Sequence, residues 1–175
     1  MQVVVMGVTG VGKTTVGRLI ALRLKARFVD ADDFHPPENV AKMRAGIPLD
    51  DADRQPWLAS LNAHLRAAAS RDDALVLACS ALKSVYRERL RDGLPDLRFV
   101  HLVGARELIA ERLGTRSGHY MNPALLDSQF ATLENPGNAI RLDVGPTPEE
   151  LAATACAELD RHERCGAEPA SSAAG

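Results

Sequence analysis

Eight residues close to the start of the chain carry its strongest chemical signal. Gly7-Val8-Thr9-Gly10-Val11-Gly12-Lys13-Thr14 matches G-x-x-x-x-G-K-[ST] at every specified position. Glycines at these places let successive backbone N–H groups converge on phosphate oxygens. A helix opening at Lys13 points the positive end of its dipole at the same anion. Lys13 supplies a point charge for the β- and γ-phosphates, and the Thr14 hydroxyl is a ligand for Mg²⁺. Gly7, Val8, Thr9, Gly10, Val11, Gly12, Lys13, Thr14 and the adjoining Thr15 form the candidate cradle of a nucleoside triphosphate. With glycine near 7% of ordinary usage, a chance match in a chain this long is about one in a few hundred.

Nucleotide binding alone does not define a reaction. A GTPase switch would carry Asp-x-x-Gly and Asn-Lys-x-Asp segments, and neither occurs. A motor-type ATPase would end an apolar strand in an acid, whereas the run at 75–79 is followed by Ser80-Ala81-Leu82-Lys83. The metal-side carboxylate must come from elsewhere. Asp30-Ala31-Asp32-Asp33-Phe34-His35 supplies candidates at the end of the second strand, since the carboxyl ends of neighbouring parallel strands open onto one crevice. If the strand continues through them, Asp30 and Asp32 share a face toward the metal and the γ-phosphate. A carboxylate that orients or deprotonates an alcohol is what phosphoryl transfer needs. Asp33 reads as a cap of the next helix. His35 either binds a substrate hydroxyl or packs structurally before Pro36-Pro37.

The elements that must position these groups follow from periodicity. Apolar runs of strand length occupy residues 3–6, 28–30, 75–79, 99–103 and 140–144, and amphipathic stretches at 14–25, 86–91, 107–113 and 148–161 separate or follow them. Near-continuous apolar strands alternating with helices indicate an α/β chain whose parallel sheet is covered on both faces. Two longer segments, 33–71 and 112–134, interrupt the alternation as a substrate platform and a lid would. Residues 165–175, rich in Ala, Ser and Gly, read as a disordered tail to a single domain spanning 1–164.

Composition excludes several classes. In 175 residues and 18.8 kDa, 46% hydrophobic and 25% charged residues are globular values, and 4% aromatic residues make the core aliphatic. A net charge of −2 leaves no global field for nucleic acid or an anionic membrane. Cys79, Cys156 and Cys165 fit neither a disulfide framework nor zinc-ligand spacing. No run approaches the ~20 apolar residues of a membrane span. A cytoplasmic protein is expected.

The phosphate loop, together with DADDFHPPENVAKMRAGIPLDDADRQPWL (30–58), CSALKSVYRERLR (79–91) and RSGHYMNPALLDSQFATLENP (116–136), resembles the P-loop gluconokinases over nearly the whole chain. The resemblance implies ATP- and Mg²⁺-dependent phosphorylation of D-gluconate at O6. It also implies a P-loop NTPase three-layer α/β/α fold, with a five-stranded parallel sheet in order 2-3-1-4-5, a helical substrate region and a lid at about 114–134. A homodimer is common among such proteins. By the same resemblance Asp30 is metal-side, Asp32 contacts the reacting hydroxyl, and Arg54 reaches the substrate. Asp50, Asp51 and Asp53 read as helix caps, and Trp57 as a packing anchor. Lys83 and Arg87, four residues apart, are expected on one helix face as a clamp for the gluconate carboxylate. Arg112 would stack on adenine and Arg116 neutralise the transferring phosphate, while residues 144–147 border the adenine. Alternatives are a kinase of the same fold acting on shikimate or another sugar acid, and a regulatory ATPase with no small acceptor.

Overall fold

The computed structural model describes residues 1–45, 47–114 and 123–166. Among them five strands form one parallel sheet: β1 (Gln2–Met6), β2 (Arg27–Asp30), β3 (Leu75–Ala78), β4 (Arg98–Val103) and β5 (Ile140–Asp143), in spatial order β2-β3-β1-β4-β5. The expected order holds. β1 lies at the centre, with Val4 opposite Leu77 of β3 on one side and Phe99 of β4 on the other. Val3, Val4, Val5 and Met6 have no exposed surface, which is why this strand reads as a continuous apolar run.

Side-chain alternation along the strands divides the interior in two. Val3, Val5, Val76, Val100 and Leu102 face α1 (Lys13–Arg23), α5 (Arg106–Gly114), α6 (Pro123–Thr132) and α7 (Pro148–Gly166). Val4, Met6, Leu75, Leu77 and Phe99 face α3 (Asp51–Ala69) and α4 (Ser84–Arg91). α2 (Pro37–Arg44) completes the segment between β2 and β3 and is tied to α3, where the Asn39 amide donates to the Asp53 carbonyl at 2.8 Å and Lys42 pairs with the Asp53 carboxylate at 2.6 Å. Asp50 caps α3 by accepting from the Asp53 N–H, and Asp53 returns the bond to the Asp50 N–H, a reciprocal capping box. Buried Cys79 has its thiol pKa pushed up to about 12 by desolvation, consistent with an idle thiol.

Three local expectations are corrected. β2 ends at Asp30 and gives way to a 3₁₀ turn, Ala31–Phe34, so Asp30 and Asp32 are not strand neighbours on one face. Asp33 caps nothing: Asp30 caps the turn, and Pro36 precedes α2. α7 runs to Gly166, past the helical stretch expected at 148–161, and the remaining tail lies outside the described residues.

Candidate active site

The connection from β1 to α1 is built for an anion. Gly7 has φ +138° and a Cβ there would stand 2.6 Å from the Leu102 carbonyl oxygen, so only glycine fits. Gly12, at φ +103°, precedes α1, whose first turn has neither a side-chain cap nor an acidic residue. The opening N–H groups of α1 therefore keep their positive potential toward the loop. Val8 and Val11 are buried in the core and hold the loop by its apolar residues. Lys13 Nζ donates to the Val8 carbonyl at 2.9 Å, and the Thr9 N–H donates to Oε1 of Gln129 on α6 at 2.7 Å. Thr14 and Thr15 are exposed on the first turn of α1.

Beside this loop the end of β2 brings in the carboxylates. The Thr14 hydroxyl donates to Asp30 Oδ2 at 2.9 Å, and Asp30 Oδ1 accepts the Asp32 N–H at 3.2 Å. One carboxylate thus links the phosphate loop to the turn that displays the second. Asp32 is open at its surface, yet desolvation by its surroundings and the Asp30 charge raise its pKa. The charges of Lys13 and His35 pull it the other way. Burial lowers the His35 pKa and keeps that imidazole neutral. Its ring stacks on Trp57 at 4.5 Å, and Nδ1 is buried without a hydrogen-bond partner among the described residues. Trp57 is the expected anchor: it is buried, and Nε1 donates to the Ala31 carbonyl at 2.8 Å, fixing the turn from below.

The third component follows β3. Lys83 Nζ donates to both carboxylate oxygens of Asp51 at 2.7 and 2.8 Å, and the Tyr86 hydroxyl donates to Asp51 Oδ1. Arg54 and Lys83 lie over the Tyr86 ring at 5.8 and 5.6 Å, and Arg54 also donates to the Leu49 carbonyl at 3.3 Å. Hydrogen bonds from Lys83 and Tyr86 hold the Asp51 carboxyl below its ordinary pKa. Asp51 therefore ties the start of α3 to the Lys83 loop, whereas Asp50 and Asp53 form the capping box.

Lys83 is the residue before α4, with extended backbone (φ −90°, ψ 151°), and its carbonyl accepts the Arg87 N–H at 3.3 Å. The two side chains are engaged differently. Arg87 is buried, and Nη1 donates to the Ala81 and Leu82 carbonyls at 2.9 and 2.8 Å, with Nη2 on the Asn135 carbonyl at 3.4 Å. It braces the loop that carries Lys83. On the far side of the sheet's carboxyl edge, Arg112 Nη2 donates to the Val144 carbonyl at 2.8 Å, joining α5 to the segment expected at the adenine.

A family model described as shikimate kinase matches residues 9–135. Gluconokinase of Gluconobacter oxydans (strain 621H) is 52% identical over 136 residues, covering 77% of this chain and 76% of that protein. The solved structure of a gluconokinase from Sinorhizobium meliloti 1021 is 42% identical with a TM-score of 0.86, covering 95% of this chain and 97% of that one. The chain belongs to the gluconokinase family. A shikimate kinase from Aquifex aeolicus, at 17% identity and a TM-score of 0.60, shares the fold.

Membership of this kinase family implies ATP together with a divalent metal ion and a small-molecule acceptor. The chain fits a hard cation: the Thr14 hydroxyl and Asp30 carboxylate are adjacent oxygen donors. No cluster of three or more His, Cys, Asp or Glu among the described residues could hold a metal by itself. That suits an ion that takes most of its ligands from water and phosphate. No helix among the described residues is long and apolar enough to cross a membrane.

Within this gluconokinase-family site, sequence reasoning missed Tyr86, Asp51, Gln129 and Glu134. Glu134 accepts from the Ser84 hydroxyl at 2.7 Å and from the Ser84 N–H, capping α4 from a segment fifty residues away. Only the segment match 116–136, which contains Gln129 and Glu134, pointed toward them. Arg116 and much of the expected lid lie outside the described residues.

Proposed function

We propose that this chain transfers the terminal phosphoryl group of ATP to the O6 hydroxyl of D-gluconate, giving 6-phospho-D-gluconate and ADP. The observation that carries the reading is the hydrogen-bonded link from the Thr14 hydroxyl through the Asp30 carboxylate to the Asp32 N–H, which joins the phosphate loop to the turn that displays the Asp32 carboxylate. A carboxylate there can orient an alcohol and accept its proton. Relatives named gluconokinase, including the one from G. oxydans at 52% identity, support gluconate as the acceptor.

Each residue then has a task. Backbone N–H groups of Gly7–Thr14 bind the phosphates, and Lys13 exchanges the Val8 carbonyl for phosphate oxygens. Mg²⁺, held from the Thr14 and Asp30 side, neutralises phosphate charge when bound. Asp32 orients the acceptor hydroxyl and takes its proton as the new O–P bond forms and the bond to the ADP oxygen breaks. Lys83 has a third ammonium hydrogen beyond the two directed at Asp51, and it meets the gluconate carboxylate. Arg54 and His35 approach the polyol from α3 and the 3₁₀ turn. Arg112 lies against adenine beside Val144, and the role given to Arg116 is to neutralise charge on the transferring phosphate. ADP release is measured with gluconate, with shikimate and with no acceptor. Gluconate-dependent release is expected, and acceptor-independent turnover or a preference for shikimate overturns the reading.

A further inference from the structure

Gln129 reaches the phosphate loop from α6, and the tasks assigned above make no use of it. The Thr9 N–H donates to its Oε1 at 2.7 Å across 120 positions of sequence. A backbone N–H can only donate, so this bond fixes the amide with its oxygen toward the loop and Nε2 away from it. In that pose the side chain supplies what a phosphate oxygen would supply, an acceptor on a loop whose N–H groups converge on anions.

The helix that carries Gln129 is held in place independently. Asp127 pairs with Arg106 of α5 at 3.0 Å. Beyond the helix, the Glu134 N–H donates to the Leu82 carbonyl at 2.9 Å while its carboxylate caps α4. Gln129 is therefore fixed relative to both the phosphate loop and the β3–α4 connection that presents Lys83.

We propose that Gln129 is a positioning residue for the transferring phosphoryl group, acting by exchange of the two ends of its amide. In the nucleotide-free protein its oxygen holds the Thr9 N–H. When a phosphate oxygen takes that N–H, a carbonyl oxygen would face like charge. Half a turn about the terminal torsion presents Nε2–H to the phosphate instead. Amide oxygen and nitrogen are nearly the same size, so the exchange needs no movement of α6. The proposal rests on the ATP-dependent kinase reading.

Two variants separate the halves of this exchange. Gln129→Glu keeps an acceptor for Thr9 but cannot donate and adds a negative charge. Gln129→Ala removes both functions. Hydrogen exchange at the Thr9 amide of the nucleotide-free protein should accelerate in Gln129→Ala and stay slow in Gln129→Glu. Calorimetry should show Gln129→Glu weakening a non-hydrolysable ATP analogue about tenfold or more beyond any effect on ADP, since ADP lacks the terminal phosphate. Both variants should lose about tenfold or more in kcat, with KM for gluconate within about twofold of wild type. Unaltered Thr9 exchange in Gln129→Ala, equal shifts for ADP and the ATP analogue, or a near-wild-type kcat in both variants overturns the proposal. Wild-type turnover is measured first. Its absence overturns the kinase reading, whereas a turning-over wild type with indifferent variants overturns this proposal alone.

Discussion

Replacing Arg87 by Met and Lys83 by Met should have opposite signatures, although both residues are cations of one matched segment. Arg87 is 7% exposed and gives two short hydrogen bonds from one nitrogen, at 2.9 and 2.8 Å, to the Ala81 and Leu82 carbonyls. Hydrogen bonds from charged groups contribute about 1.5–3 kcal/mol each, and two that share a donor nitrogen fall short of additive, so about 3 kcal/mol is at stake. In a domain of this length 1 kcal/mol moves Tm by about 2–4 °C, so Arg87→Met should lower Tm by about 6–12 °C. Methionine keeps the aliphatic stem and leaves the loss to the hydrogen bonds. Lys83 is engaged with Asp51 at a partly open surface, and such pairs contribute little to stability. Lys83→Met should leave Tm close to wild type and raise KM for gluconate about 10- to 100-fold, the value of one charge-assisted contact to the acceptor carboxylate.

Calorimetric Tm and steady-state kinetics at about 20 °C, where both variants are folded, separate the two effects. Arg87→Met should keep KM for gluconate within about fivefold, because the loop it braces sags while the lysine remains. An Arg87→Met protein with wild-type Tm and a KM raised as far as in Lys83→Met would refute the assignment. The clamp would then use both cations as their spacing suggests.

The same geometry sets the outcome of three further substitutions. Lys13→Ala should abolish measurable turnover with an unchanged circular dichroism spectrum, because Val8, Val11 and the glycines shape the loop; near-wild-type activity would refute its assignment. Asp32→Asn should lower kcat about 10²–10⁴-fold and remove the acidic limb of kcat/KM, which in wild type lies above the ordinary Asp range because the carboxyl pKa is raised. A raised native pKa stabilises below the unfolded value and is lost as pH climbs through the native one, so at pH 7 the ionised group is a cost and Asp32→Asn should melt no lower than wild type. Asp30→Asn should recover part of its activity at high Mg²⁺, whereas Asp32→Asn should not; equal rescue of both would refute the division of labour.

Much of this arrangement was legible in the residue types, and the limits have physical causes. β1 and the phosphate loop announce themselves because burial on both faces demands unbroken apolar residues and the anion cradle demands glycine at Gly7 and Gly12. The Asp50–Asp53 box is local and was legible for the same reason. What failed was period. The reach of Asp32 depends on a 3₁₀ turn that no alternation signals, and the burial of Arg87 depends on the Ala81 and Leu82 carbonyls, which spacing along a helix does not reveal. Contacts of long sequence separation were beyond local reading altogether. Asp51 to Lys83 and Tyr86, Gln129 to Thr9, and Glu134 to Ser84 span 32, 35, 120 and 50 residues. Each partner alone resembles an ordinary surface residue.

The partners that hold the cations of the site share a logic. Lys13 lies on the Val8 carbonyl, Arg54 on that of Leu49, Arg112 on that of Val144, and Lys83 on the Asp51 carboxylate. Converging cations repel one another, so without partners they would spread away from the crevice and have to be gathered again when substrates arrive. Partners drawn from the chain hold each cation where it is needed before any anion arrives. Affinity is then the difference between two sets of contacts, and the carbonyl partners are the easier to relinquish because a neutral oxygen released to water regains its hydrogen bond. Asp51 differs, since a carboxylate competes with the acceptor carboxylate on equal terms of charge. Its retention of two of the three Lys83 hydrogens leaves one direction for an incoming carboxylate. An ammonium neutralised in this way draws anions weakly from a distance but receives them along a set line. Such a lysine captures the acceptor carboxylate along that line, and the line of capture in turn orients the acceptor hydroxyl at Asp32 for phosphoryl transfer.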